Sequence, residues 1–157
     1  MANPWPAAPA LQFVFEARVT VAPPQDVGDV AKGGRRIVPI TGGEVTGPDF
    51  HAVVLPGGSD WQVLRSDGAA ELEARYTLRT DDGALIYVRN HALRHGPPEV
   101  IAALAAGQPV APDHYYFRGA TFFEASAARY KWLTRHIIVC SGQREAARVL
   151  LQFYKVM

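Results

Sequence analysis

The chain has almost no cysteine, little lysine and no surplus of either charge. Its one cysteine, Cys140, excludes an internal disulfide and a thiolate metal cluster built within a single chain. Sixteen basic residues stand against fifteen acidic ones, for a net charge of +1. No broad field is therefore present to recruit nucleic acid or an anionic membrane. No apolar run approaches the ~20 residues that a membrane-spanning helix needs. The first lysine or arginine is Arg18, and Pro4, Pro6 and Pro9 interrupt the segment before it, which is not the pattern of a secretory signal. These absences predict a cytoplasmic protein with no nucleic-acid partner and no membrane partner. The only lysines are Lys32, Lys131 and Lys155. The arginine bias fits coding preference as well as it fits binding of an acidic substrate by guanidinium forks.

What is present is ordinary globular composition: 157 residues, 48% apolar and 20% charged. That length suits one domain over residues 1–157 with a full core, the first ten residues forming a flexible N-terminal segment. Short apolar stretches alternate with turn chemistry. Leu11–Val21 places Leu11, Phe13, Phe15, Ala17, Val19 and Val21 on one side. The following APPQDVGDVAKGGRR reads as a loop. Arg36–Ile40 and Glu44–Thr46 flank a Thr-Gly-Gly turn and suggest a hairpin. Phe50–Leu55, the Pro56-Gly57-Gly58 break and Trp61–Arg65 follow, then an Asp67-Gly68 hairpin dipeptide.

The best alternation lies in Ala70–Thr80. Ala70, Leu72, Ala74, Tyr76 and Leu78 fall on one side; Glu71, Glu73, Arg75, Thr77 and Arg79 fall on the other. That is period two, and it predicts a strand. Asp81-Asp82-Gly83 turns the chain into Ala84–Leu93, an antiparallel partner. Only Pro97–Ala106 reads as a helix, with prolines and Glu99 at its start and Gly107 at its end. It is short enough to be a lid or plug. Tyr115–Glu124, Trp132–Ser141 and Ala146–Val156 complete a set of about eight to ten strands. The fold class this predicts is all-β, a closed antiparallel barrel with one short helix.

Several segments carry a resemblance. GGRR (Gly33–Arg36), LPGGSDWQ (Leu55–Gln62), RSDG (Arg65–Gly68), ARYTLRTDDGALIYVRN (Ala74–Asn90), YYFRGATFFEA (Tyr115–Ala125) and YKWLTR (Tyr130–Arg135) are similar, in order, to the bacterial and fungal family catalogued as domain of unknown function 3237. The similarity runs from about Leu11 to Val156. It implies a small closed barrel with a central pocket, often dimeric, and no settled common activity. One departure is Ala92-Leu93-Arg94-His95-Gly96, where relatives tend to carry a less apolar, glycine-containing stretch. That puts the roof of the pocket in question.

Four groups of residues could carry chemistry. Asp60, beside Trp61 at a strand entrance, could be an acid or base with a pKa raised by desolvation. It could equally cap the Gly-Gly turn. Arg75 could reach into the lumen and hold a carboxylate, phenolate or enolate oxygen, or pair with a glutamate on the outside; Tyr76 beside it reads as packing or as a substrate wall. Tyr116, Arg118 and Glu124 share strand parity. A Tyr, an Arg and a carboxylate on one face could bind an oxyanion and remove a proton, although a glutamate at a strand end is usually solvated. Tyr130 and Trp132 read as pocket walls or barrel seals, and Tyr87 and Asn90 as groups that could orient a substrate carbonyl.

Other chemistries find little support. His51, His91, His95, His114 and His136 are scattered, and no metal site is predicted. Ser59 lacks a Gly-x-Ser-x-Gly elbow, and no phosphate-binding glycine loop occurs. Cys140 lies among Ile137, Ile138 and Val139, where an inert core thiol is expected. Two functions remain. One is a cofactor-independent enzyme working by proton transfer on a small aromatic or polyketide-like carbonyl compound, as an isomerase, cyclase, hydratase or lyase. The other is a non-catalytic barrel that carries a small hydrophobic metabolite. A carboxylate and a cation that converge without pairing would favour the first; an all-apolar cavity would favour the second. The apolar residues on both faces of the C-terminal LLQFYKV also predict a homodimer.

Overall fold

Strict alternation builds the walls. In β7 (Leu85–His95) every even-numbered residue from Ile86 to Arg94 is buried and every odd-numbered one is exposed. A strand with that pattern has one face in a core and one in solvent. The computed structural model describes all 157 residues. It contains nine further strands: β1 (Leu11–Val21), β2 (Gln25–Val30), β3 (Gly33–Gly47), β4 (Phe50–Val54), β5 (Ser59–Leu64), β6 (Ala70–Thr80), β8 (Tyr116–Ala125), β9 (Ile138–Arg144) and β10 (Arg148–Val156). The helix α1 spans Pro98–Ala105, and short 3-10 helices cover Pro112–His114 and Ala128–Thr134.

All pairings are antiparallel, in the order β1-β10-β9-β8-β7-β6, then β4 and β5, then β3, which returns to β1. β4 and β5 both lie between β3 and β6, end to end, as two halves of one stave broken at Leu55–Gly58. The barrel therefore has eight staves, with β2 added outside on β3. No helix is long and apolar enough to cross a membrane.

The structure corrects four readings of the sequence. The stretch after β1 is not all loop: residues 25–30 form β2 and pair with the first half of β3. Thr41-Gly42-Gly43 is not a hairpin turn. β3 runs through it and changes partners there, from β2 and β5 above to β1 and β4 below. Gly43 has φ 141°, and a Cβ would lie 2.2 Å from the Arg18 carbonyl oxygen, so only glycine lets β3 cross β1 so closely. Trp132 lies in a 3-10 helix, not a strand. Tyr130 and Leu133, three residues apart, are the pair buried there, as a three-residue turn demands. In β1, the register shifts between Phe13 and Phe15, so Leu11 and Phe13 are exposed while Phe15, Ala17 and Val19 are buried.

The two ends of the barrel differ. The lower end, closed by the Ala128–Thr134 helix, is packed with rings. Phe15 stacks on Phe50 at 4.6 Å and meets Phe153 at 5.0 Å and Phe123 at 6.0 Å; Phe50 is capped edge-on by Tyr130 at 5.6 Å. The upper end holds the β5–β6 turn, α1 and the β9–β10 turn, and its interior is not filled. Phe15→Ala should lower the unfolding free energy by about 3–5 kcal/mol through lost burial and the void left behind, and a urea titration showing a loss below ~1 kcal/mol would mean that the rings are not the packed core.

Candidate functional site

Antiparallel register puts directly paired residues on one face of a sheet. Starting from β5, this assembles two interior rows across the upper half of the barrel. Asp60 pairs with Ala74, Ala74 with Asn90 and Asn90 with Thr121. One step higher, Arg36 pairs with Gln62, Gln62 with Leu72, Leu72 with Ala92 and Ala92 with Gly119. Small residues at Ala74, Ala92 and Gly119 leave the space that larger ones would fill. A Cβ on Gly119 would come within 2.7 Å of Asn90 Oδ1 and 2.9 Å of Cys140 Sγ. The result is a cavity of about 60 Å³. Its apolar wall includes Val19, Ile40, Leu72, Phe117 and Leu151; Ala22, Pro24, Glu145 and Ala146 line its rim.

Polar groups from four staves meet on this cavity. Asp60 as a whole is half-buried, but its Oδ1 is closed off from solvent and accepts no hydrogen bond within the protein. Its Oδ2 accepts 2.7 Å from Gln62 Nε2, and Gln62 Oε1 accepts from Arg36 Nε and Nη2 at 3.0 and 2.8 Å. Gln62 is thus a neutral bridge that fixes the carboxylate and keeps Arg36 from a direct ion pair with it. Arg94 is 5% exposed and lines the same cavity, with its guanidinium 5.8 Å from the centre of the Phe117 ring. None of the chain's ion pairs includes it. Asn90 Oδ1 accepts from Thr121 Oγ1 at 2.8 Å and from the Cys140 thiol at 3.5 Å, which turns the Asn90 amide nitrogen away from that pair. Tyr76 is buried on the cavity wall, and Arg144 reaches it from the end of β9.

The electrostatics follow from burial. Burial pushes the Asp60 carboxyl above its ordinary value of 3.8, against the opposing pull of the Gln62 hydrogen bond, the Arg94 and Arg36 charges and the Glu73 amide. Burial, with Arg144 and Arg36 close by, pulls Arg94 down to about 10, which leaves it a cation at neutral pH. Arg144 is lowered in the same way, by burial and then by Arg36. Burial raises the Tyr76 phenol and the Cys140 thiol, so both stay protonated.

Of the residues expected at the site, the structure brings Asp60, Tyr76 and Asn90 together on the cavity. The others lie elsewhere. Arg75 is exposed and bonds Glu73 at 2.5 Å on the outside of β6. Tyr116, Arg118 and Glu124 do share a face, but it is the outer one; Tyr116 stacks on His95 there. Trp61 and Tyr87 are also exposed: Tyr87 is one residue out of step with the buried positions of β7, and Trp61 is one residue out of step with Asp60 and Gln62. Tyr130 is buried at the lower end with its hydroxyl donating 3.0 Å to Asp82, and Trp132 is half-buried under Lys155. Trp61, Arg75, Arg118 and Trp132 are therefore off the cavity, whose wall holds Gln62, Arg94, Arg144 and Phe117 instead. Parity with Asp60 marks Gln62, and parity with Ile86 and Val88 marks Arg94. Nothing local marks Arg36 or Arg144. No cluster of three or more His, Cys, Asp or Glu side chains is placed to hold a metal ion.

The profile of a family described as "Protein of unknown function (DUF3237)" matches residues 9–156. A UPF0311 protein of Clostridium acetobutylicum is 46% identical over 144 residues, 91% of each chain. The crystal structure of a conserved protein of unknown function from Rhodopseudomonas palustris superposes with a TM-score of 0.94 at 38% identity, covering 97% of this chain and all of that one. A more distant relative, named a hydroalkoxylation enzyme in Penicillium herquei, is 28% identical over 128 residues, 82% of this chain and 70% of its own.

The raised Asp60 has a consequence for stability. Neutral Asp60 stabilises the fold fully below the unfolded value near 3.8, and that contribution is lost as pH rises through the higher folded value. Asp60→Asn, which stays neutral, should match the wild-type Tm near about pH 4 and exceed it progressively toward about pH 7. A wild type that gains on the variant with rising pH would show that Asp60 ionises more easily in the folded protein.

Proposed function

The chain belongs to the DUF3237 family, and we propose that it is an enzyme of proton transfer on a small aromatic or polyketide-like carbonyl compound, working without a cofactor. The observation that carries this is one pair of groups. Asp60 and Arg94 line the same cavity from different staves, each shifts the other's titration, and no ion pair joins them. A carboxylate and a cation that neutralised each other would be a structural bridge. Kept apart, one can move a proton while the other holds the charge that develops on oxygen.

The roles follow from position. Asp60, with its pKa raised and one oxygen free of any protein donor, takes and returns the proton. The Gln62 amide bonded to its other oxygen fixes its orientation. Arg94 stabilises an enolate or phenolate oxygen; a largely buried guanidinium is effective there because a low-dielectric wall strengthens its pull on the oxyanion. Asn90 and the neutral Tyr76 phenol orient the bound molecule. The name of the fungal relative supports the same class of chemistry. Hydroalkoxylation moves a proton from an alcohol oxygen to a carbon as the C–O bond forms, and one acid/base group can serve both ends. Carriage of a neutral hydrophobic metabolite is the poorer reading, because a wall holding Asp60, Arg94 and Arg144 is costly to bury around an uncharged guest.

We also infer a homodimer, supported by the exposed Tyr87, Leu93, Tyr116 and Phe122 on the outer face of β7 and β8. Light scattering should return twice the 17.1 kDa chain mass; a value near 17.1 kDa over a wide concentration range contradicts pairing.

Deuterium exchange at acidic C–H positions of small aryl ketones and β-dicarbonyl compounds, followed by NMR in D2O, tests the catalytic reading. The wild type should accelerate exchange, and Asp60→Asn should cut the accelerated rate by about 10²–10⁴-fold. Glu124→Gln and Arg75→Ala, on the outer surface, should leave it unchanged. Full exchange by Asp60→Asn would place the base elsewhere.

A further inference from the structure

The interior of the barrel carries more positive charge than the protein balances. Arg36, Arg94 and Arg144 all lose solvation there. Arg36 directs Nε and Nη2 to Gln62. Of the two carboxylates on the cavity wall, Glu145 is taken by an ion pair with Arg148 at the β9–β10 turn. Asp60 is the other, and its Oδ2 is held by Gln62. Arg94 and Arg144 are left without a protein acceptor for either guanidinium, although Arg144 sits close enough to lower the affinity of Arg94 for a proton. Arg94 is 5% exposed. A cation buried so deeply is costly unless an anion meets it.

The rest of the wall is apolar, with Val19, Ile40, Leu72 and Leu151 around the void and the Phe117 ring behind the Arg94 guanidinium. The void offers about 60 Å³ of room for water centres. One water needs ~10–15 Å³ of such room, so the space is on the order of four waters, about that of one six-membered ring with a substituent.

We infer that the cavity takes a compact aromatic or conjugated monoanion, charged before any reaction begins, with its oxygens on Arg94 and Arg144 and its body against the apolar wall. This rests on the reading that the cavity is the working site, and it adds the substrate class. A planar carboxylate, or an enol or phenol acidic enough to be ionised, supplies the missing charge and matches the flat donor edge of a guanidinium. Inorganic phosphate supplies charge but nothing for the apolar wall.

Titration calorimetry on the full-length protein tests this with three probes: benzoate, its neutral isostere benzamide, and inorganic phosphate. Benzoate should bind one per chain, about tenfold or more tighter than benzamide, with phosphate weaker than benzoate. Arg94→Gln and Arg144→Gln should each weaken benzoate by about tenfold or more and leave benzamide unchanged. Should Arg94→Gln fail to fold, Arg144→Gln and the benzoate-to-benzamide ratio of the wild type decide. Benzoate binding no tighter than benzamide, absence of binding by either included, overturns the inference. So does benzoate binding that survives loss of the guanidinium, or phosphate binding as tight as benzoate. Arginine-dependent benzoate binding without Asp60-dependent exchange would retire the catalytic reading and leave this one standing. Asp60-dependent exchange on neutral ketones with equal benzoate and benzamide affinity would do the reverse.

Discussion

A closed sheet offers the side chains inside it no bulk water, so each polar group admitted there has to be matched from another stave. The lower half of this barrel meets that constraint by admitting almost none: Phe15, Phe50, Phe123 and Phe153 pack ring against ring. The upper half meets it only in part. Asn90, Thr121 and Cys140 satisfy one another, and Arg36, Gln62 and Asp60 form a chain. That chain ends at an Asp60 oxygen with no donor, and Arg94 lines the same cavity outside every ion pair of the chain. The imbalance is what distinguishes a site from a core.

The same constraint explains why the cavity lies where it does. β5 begins at the break in the stave that it shares with β4, and its first interior residue is Asp60. The residue beside it on the next stave, Ala74, is too small to cover it, and Ala92, one row higher on the stave beyond, widens the gap. Gly119 continues this line of small side chains and leaves Asn90 and Cys140 room to bond. Pairing on both sides of Asp60, Gln62, Asn90 and Arg94 fixes the geometry that catalysis or recognition requires. The rim, by contrast, consists of a loop after β1 and a two-strand turn after β9, the parts of the barrel best able to move aside for a ligand.

Much of this was legible from alternation. The barrel, the β6–β7 hairpin and the helix after Pro97 follow from period-two strands, turn dipeptides and a proline-to-glycine bracket. Within the site, parity was the decisive signal, and its reach was uneven. It separates Tyr76 from Arg75 and Asp60 from Trp61, since neighbours in a strand face opposite ways. It also aligns Tyr116, Arg118 and Glu124, but it cannot tell an inner from an outer face when aromatic and charged residues share one. Phe117 and Phe123, on the opposite parity, turn out to be the buried set. Arg94 continues the buried parity of Ile86 and Val88, yet a charged side chain at a strand end reads as solvated until the neighbouring staves are known. Arg144 comes to the cavity, and Arg36 to Gln62 behind its wall, only through long-range pairing, which no local pattern records.

Carboxyl-carbon NMR of Asp60, assigned by its loss in Asp60→Asn, measures most directly whether Asp60 and Arg94 share one desolvated field. In the wild type the resonance should titrate above 3.8, and in Arg94→Gln it should move higher still, because the cation that favours the ionised form is gone. Titration at or below 3.8, or a midpoint that ignores the loss of Arg94, would contradict a working pair across the cavity.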